Sequence, residues 1–122
     1  LYNYSQDNFY NMVIEIEMNL NSLDLLNEIK KIESKMGRTK EVKKNMPRII
    51  DIDILAIGNM VINTSILRIP HNGIAVRKFV LKPWNDISPN FIVPTYNKKV
   101  KTLLSETIDK SDCNMLLITD NN

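Results

Sequence analysis

The sequence predicts an α+β fold in which helices cover one face of a small, mostly antiparallel sheet, and three observations predict it. Polar and apolar residues alternate from Phe9 to Leu20. Apolar residues recur at helical spacing from Leu25 to Met36, and a second β-like run from Ile50 to Ile57 carries two aspartates. At 122 residues the chain is long enough for one compact domain with a single core and too short for two.

Along the first run, Tyr10, Met12, Ile14, Ile16 and Met18 share one side, expected to be core, and Phe9, Asn11, Glu15 and Glu17 share the other. Ser22 offers an N-cap, Leu25, Ile29, Ile32 and Met36 form an apolar stripe, and Lys30, Lys31 and Lys35 precede Gly37 as C-cap, giving an amphipathic helix. The basic stretch from Arg38 to Met46 reads as a loop. Pro47 delays the aspartate strand, which runs to Ile57, and Gly58-Asn59 then turns the chain so that Met60–Asn63 pairs back on it. A short helix is expected around Ala75–Phe79, a turn-rich piece around Pro83, Pro89 and Pro94, and a last helix over Lys98–Ile108. Residues 1–108 are read as the domain and 109–122 as a tail without an assigned role.

Hydrophobic residues make up 43% of the chain and charged residues 25%, within the ordinary globular range, and the single cysteine, Cys113, rules out an internal disulfide framework. No apolar run reaches the ~18 residues of a membrane span. A cytoplasmic location without a membrane partner is therefore expected. The net charge of +2 does not by itself argue for nucleic acid, but Arg38, Lys40, Lys43, Lys44 and Arg48 cluster against Glu41 alone. Such a cluster suits an anionic ligand, and it equally suits a solvated loop beside a helix end.

Asp51 and Asp53 pose the sharper question. Two residues apart on a strand, their carboxylates share a face at roughly 6.6 Å and repel by roughly 2.5 kcal/mol at an effective dielectric of about 20. A cation, a proton or bulk water must offset that cost. Phe9 and Asn11 on the first strand and the two acids on the second are expected to face one cleft, although a plain antiparallel sheet with one wet face fits the same pattern. Paired carboxylates, an adjoining basic cluster and His71 suit magnesium-dependent chemistry on phosphates, because Mg²⁺ takes hard oxygen ligands while Arg and Lys neutralise a polyphosphate.

The run "PRIIDIDILAIGNMVINTSILRIPH", Pro47 to His71, resembles the 6-hydroxymethyl-7,8-dihydropterin pyrophosphokinases of folate biosynthesis. The resemblance extends upstream through "FYNMVIEIEM" and "IESKMGR", and downstream through "RKFVLKPWNDISPNFIVP". It implies a ferredoxin-like α/β sandwich of which this chain resembles the C-terminal two thirds, the family's first strand, helix and strand being absent. It further implies that Asp51 and Asp53 bind two Mg²⁺ ions and that Arg38, Lys40 and Arg48 join them as catalytic residues, the first two on a mobile loop. Phe9 and Phe79 would sandwich the pterin, with Asn11 hydrogen-bonded to its edge. Glu33, Ile54, His71 and Arg77 would contact ATP, the co-substrate. Two departures concern the loop: Asn45-Met46 stands where the family often has Trp-Gly, and Lys40 and Lys44 stand where arginine is common, which keeps the charge and loses the bidentate fork.

Two other classes compete. A different Mg²⁺-dependent nucleotidyl or phosphoryl transferase would share the acid pair but leaves Phe9 and Phe79 unexplained. A nucleic-acid-binding module would interleave aromatics with its cations, and the stretch from Arg38 to Arg48 contains none. The partners expected are therefore ATP and the hydroxymethyl-dihydropterin, not nucleic acid; fusion to a neighbouring folate enzyme is left open.

Overall fold

The structure, a computed structural model, describes residues 2–6, 9–37, 50–111 and 113–117. Three antiparallel strands form the main sheet in the order β2-β1-β7: β1 (Tyr2–Gln6) lies between β2 (Phe9–Asn11) and β7 (Asn114–Leu117). The segment after residue 108 thus contributes a strand. Two small hairpins follow α1 (Ser22–Lys35): β3 (Ile62–Asn63) pairs with β4 (Arg68–Ile69), and β5 (Ile92–Val93) pairs with β6 (Lys98–Lys99). A single 3₁₀ turn, Ile74–Val76, leads into α2 (Lys78–Ile87), and α3 (Val100–Glu106) follows β6. The α+β class holds, and among the described residues no helix is long and apolar enough to cross a membrane.

The main core is a cluster of Ile74, Leu81, Trp84, Val93, Val100 and Leu103, filled at its edge by Phe91, whose ring lies 5.7 Å from that of Trp84. Here α2 packs on α3 with one face and on β1 and β2 with another. The sequence placed a helix of about five residues at this point and irregular chain after it. Pro83 sits inside α2, is buried there, and has no amide to donate to the Phe79 carbonyl one turn earlier.

The long first strand is not observed. Only Phe9–Asn11 has a ladder; Met12–Asn19 has none among the described residues, and the side expected to be core is mostly exposed, as are Glu15 and Glu17. Tyr10 (72% exposed), Met12, Ile14 (63%) and Ile16 lie outward, whereas Val13 packs against the core. Period-two alternation says that two faces differ, not which one meets the helices. Residues 50–57 likewise carry no strand assignment, and Ile62–Asn63 pairs forward with β4 instead of back onto them. In α1 the cap is Asn21, whose side chain accepts from the Asp24 amide at 2.9 Å, one position before the expected Ser22. Its buried stripe is Leu25, Ile29 and Glu33; Ile32 and Met36 are exposed. The i, i+4, i+8 set follows a line tilted across the helix, and a glutamate completes it because the carboxylate has a partner inside.

Residues after α3 return to the start of α2. Asp109 accepts the Lys78 amide at 2.9 Å, and on its other oxygen the Ser111 amide (2.9 Å) and hydroxyl (2.6 Å). Led by the Ser111 hydroxyl, these donors hold its carboxyl below the ordinary value, and the nearby Lys78 charge adds to them. A lowered folded pKa contributes stability above the unfolded pKa, about 3.9, and loses it as pH falls through the folded value. The stability difference between the parent and Asp109→Asn is therefore expected to be constant from pH 7 to about 5 and to shrink below pH 4, as followed by urea melts. A difference that grows toward acid would contradict this.

Candidate active site

The aspartate segment keeps its alternation without a ladder: Asp51 and Asp53 are exposed, while Ile50, Ile52 and Ile54 are half-buried. What holds it is a side chain of α1. The Ile52 amide donates to Glu33 Oε2 at 2.9 Å, and Glu33 is only 7% exposed. The peptide between the two acids is thereby pinned by a buried carboxylate, the kind of charge-assisted bond that a low-dielectric setting strengthens.

His71 is fixed from both ends. Its amide donates to the Leu55 carbonyl at 2.8 Å, and its Nδ1 lies 2.7 Å from the Asn72 carbonyl. A carbonyl only accepts, so Nδ1 carries the hydrogen. Nε2 then points to Asp53 Oδ2 at 3.9 Å, as an acceptor in the neutral ring and a donor in the imidazolium. Beside this pair the β3–β4 hairpin buries Ile69 and turns Arg68 outward. Thr64 closes the intervening loop by bonding through its amide and hydroxyl to the Leu67 carbonyl.

These elements enclose a cavity of about 230 Å³. Leu26, Ile52, Ile54, Ile66 and Leu67 supply apolar wall, and Asp53, Arg68 and His71 line it with charge-bearing groups. A largely apolar cavity with a cation and a carboxylate in its lining is able to hold a heterocycle and meet an attached anion. Of the residues expected at ATP, Ile54 and His71 line this cavity. Glu33 lies behind it, against the Ile52 peptide. Arg68, Leu26 and Ile66 were not anticipated; the one signal for Arg68 was its place directly before the buried Ile69 in "LRIPH", which turns it to the opposite side.

A second group gathers at the start of α2. The Arg77 guanidinium stands 5.9 Å from the centre of the half-buried Phe79 ring. In β2, Asn11 has a buried side-chain nitrogen, Nδ2, with no hydrogen-bond partner among the described residues. Unsatisfied buried donors are uncommon and costly, and a ligand acceptor would relieve this one. Phe9 belongs to β2 by its backbone, but its ring lies outside the described side chains, as do Arg38, Lys40 and Arg48 outside the described residues. Cys113 is buried, and desolvation pushes its thiol up, so it is no candidate nucleophile.

Comparison with known proteins adds to this geometry. The model of the 7,8-dihydro-6-hydroxymethylpterin-pyrophosphokinase family matches residues 2–89. The chain is 40% identical over 114 residues to a 2-amino-4-hydroxy-6-hydroxymethyldihydropteridine pyrophosphokinase of Aquifex aeolicus, covering 93% of this chain and 71% of that protein. It is 48% identical over 94 residues to the folic acid synthesis protein FOL1 of Dictyostelium discoideum, covering 77% of this chain and 14% of that protein. The corresponding Pneumocystis carinii protein is 37% identical over 109 residues, with 89% and 15% covered.

Proposed function

Because the chain belongs to the 7,8-dihydro-6-hydroxymethylpterin-pyrophosphokinase family, we propose that it transfers pyrophosphate from ATP to the hydroxymethyl group of 6-hydroxymethyl-7,8-dihydropterin, releasing AMP, a step of folate biosynthesis in the cytoplasm. In this reading the substrate hydroxyl oxygen attacks the β-phosphorus, the bond from that phosphorus to the oxygen bridging the α-phosphate breaks, and the hydroxyl proton passes to solvent. The observation that carries the reading is the juxtaposition of Asp53, His71 and Arg68 around a largely apolar cavity, with the pinned aspartate segment in its wall.

Asp51 and Asp53 would hold two Mg²⁺ ions. Their donor set fits: Mg²⁺ uses one or two protein carboxylates and completes its shell with water and phosphate oxygens, and both acids are exposed on the side away from Ile52 and Ile54. When bound, such ions neutralise polyphosphate charge. The chain's own residues do the rest. Ile52, Ile54 and Leu67 take the adenine, Arg68 and His71 contact the phosphates, Arg77 meets the far end of the triphosphate, and Asn11 and Phe79 orient the pterin, Phe9 stacking on its other side. Glu33 supports the ATP side from behind. Arg38, Lys40 and Arg48 close over the phosphates and exclude water, which would otherwise compete as nucleophile. No side chain is needed as a strong general base, since positioning and charge stabilisation supply most of the acceleration in phosphoryl transfer. We read the fold as a ferredoxin-like α/β sandwich that takes in β7 after residue 108, which the packing of α2 on β1 and β2 supports.

AMP release from Mg-ATP in the presence and absence of the hydroxymethyl-dihydropterin tests the reading. AMP that forms only with the pterin is expected; AMP at the same rate without it would point to another phosphoryl transferase. Arg68→Ala is expected to raise KM for ATP about tenfold, the loss of one charge-assisted contact, and to leave KM for the pterin within twofold. The reverse split would remove ATP from this cavity.

A further inference from the structure

We propose that Thr107 and Asp109 are positioning residues for the pterin site, gripping from both sides the short segment that presents Arg77 and Phe79. The inference rests on the pterin reading of Phe79 given above. The segment needs an external grip. Between the 3₁₀ turn and α2, Arg77 adopts φ −122° and ψ 87°, neither helical nor part of a strand, and supplies no side-chain cap. An arginine has donors only, so it is unable to satisfy the orphan amides of the helix it precedes.

Two side chains from beyond α3 provide what is missing. Asp109 Oδ2 accepts the Lys78 amide at 2.9 Å, placing a carboxylate at the positive end of α2. Thr107 Oγ1 donates to the Ala75 carbonyl at 2.8 Å and accepts the Asp109 amide at 3.3 Å. The bonded groups, Ala75 C=O and Lys78 N–H, bracket Val76 and Arg77, and Phe79 follows directly. Thr107 is itself buried, and Asp109 is held in turn by the Ser111 amide and hydroxyl. Lys82 of α2 also bonds the Cys113 carbonyl at 3.4 Å, tying the next helical turn to the same returning strand of chain. The linkage spans 31 and 32 residues of sequence, so it is not local turn chemistry. Its consequence is the fixed junction at which the Arg77 guanidinium lies over the Phe79 ring. Without an acceptor for Lys78 the first turn of α2 frays, and Phe79 sits in that turn.

The test is a double-mutant cycle on the full chain, read as affinity for 6-hydroxymethyl-7,8-dihydropterin, together with amide hydrogen exchange at Lys78, Phe79 and Val80. Asp109→Ala and Thr107→Val are each expected to weaken pterin binding at least fivefold and to speed exchange at those amides. Asp109→Asn, which keeps an acceptor oxygen, is expected to recover most of the loss. In a Phe79→Ala background the Asp109→Ala effect should fall below twofold, because there is no ring left to position. Equal weakening by Asp109→Ala in both backgrounds would show general destabilisation and overturn the proposal. Phe79→Ala weakening the pterin while Asp109→Ala and Thr107→Val bind it like the parent would overturn the positioning role and leave the pterin reading intact. Unchanged binding by Phe79→Ala would overturn that reading and the inference with it.

Discussion

Replacing Asp51 or Asp53 by asparagine is expected to lower Mg²⁺-dependent AMP release by about 10³-fold, the scale of losing a main electrostatic contributor at a phosphoryl-transfer site. Metal-free stability should hardly change. In a low-dielectric wall the two carboxylates would repel by roughly 2.5 kcal/mol, but both are exposed, and at the dielectric of water the same separation gives about 0.6 kcal/mol. Asp53 also gives up its 3.9 Å approach to His71, an exposed contact worth about 0 to 1 kcal/mol. Melting midpoints of the metal-free variants should therefore fall close to the parent's, while activity collapses. If the acids were structural, the order would reverse: a clear drop in metal-free melting with near-normal turnover would remove them from metal binding.

The parts of this site that were legible in the sequence are those set by short-range order. Asp51 and Asp53 were expected to share a face, and their exposure against half-buried Ile52 and Ile54 shows it, because side-chain alternation follows from extended backbone alone. The helix over Ser22–Lys35 was visible in its caps and spacing. Pairing was not legible. β1 and β7 are sequence-distant partners, and neither "YNYSQ" nor "NMLL" carries a signal naming the other. For the same reason the expected core side of the first run was not met: Tyr10, Met12, Ile14 and Ile16 are exposed while Val13 meets the core, and only the position of α2 and α3 decides that. The contacts that organise the site, Glu33 to Ile52 and Asp109 to Lys78, join residues 19 and 31 apart. Each runs from a side chain to a backbone amide, and an amide looks alike at every position of a sequence.

Glu33→Ala should produce the largest loss of stability of any single change at the site, about 2 to 4 kcal/mol. The carboxylate is buried and accepts the Ile52 amide at 2.9 Å, so its removal deletes a hydrogen bond to a charged group, worth about 1.5 to 3 kcal/mol, and leaves a buried N–H and a void behind it. Glu33→Gln keeps the size and one acceptor oxygen, and should cost about 1 kcal/mol. The functional consequence follows from where Ile52 stands. Its peptide is the hinge between Asp51 and Asp53, and a loosened peptide lets the two carboxylates drift apart in angle, so the half-saturating Mg²⁺ concentration should rise in Glu33→Ala and return most of the way in Glu33→Gln. A direct contact between Glu33 and ATP would act differently. It would weaken nucleotide binding in both variants, because each removes the charge, and metal-free melting would move little. Chemical denaturation without metal, followed by Mg²⁺ titration of AMP release at saturating ATP, separates the two. A Glu33→Ala protein that melts like the parent would end the backbone-anchoring role.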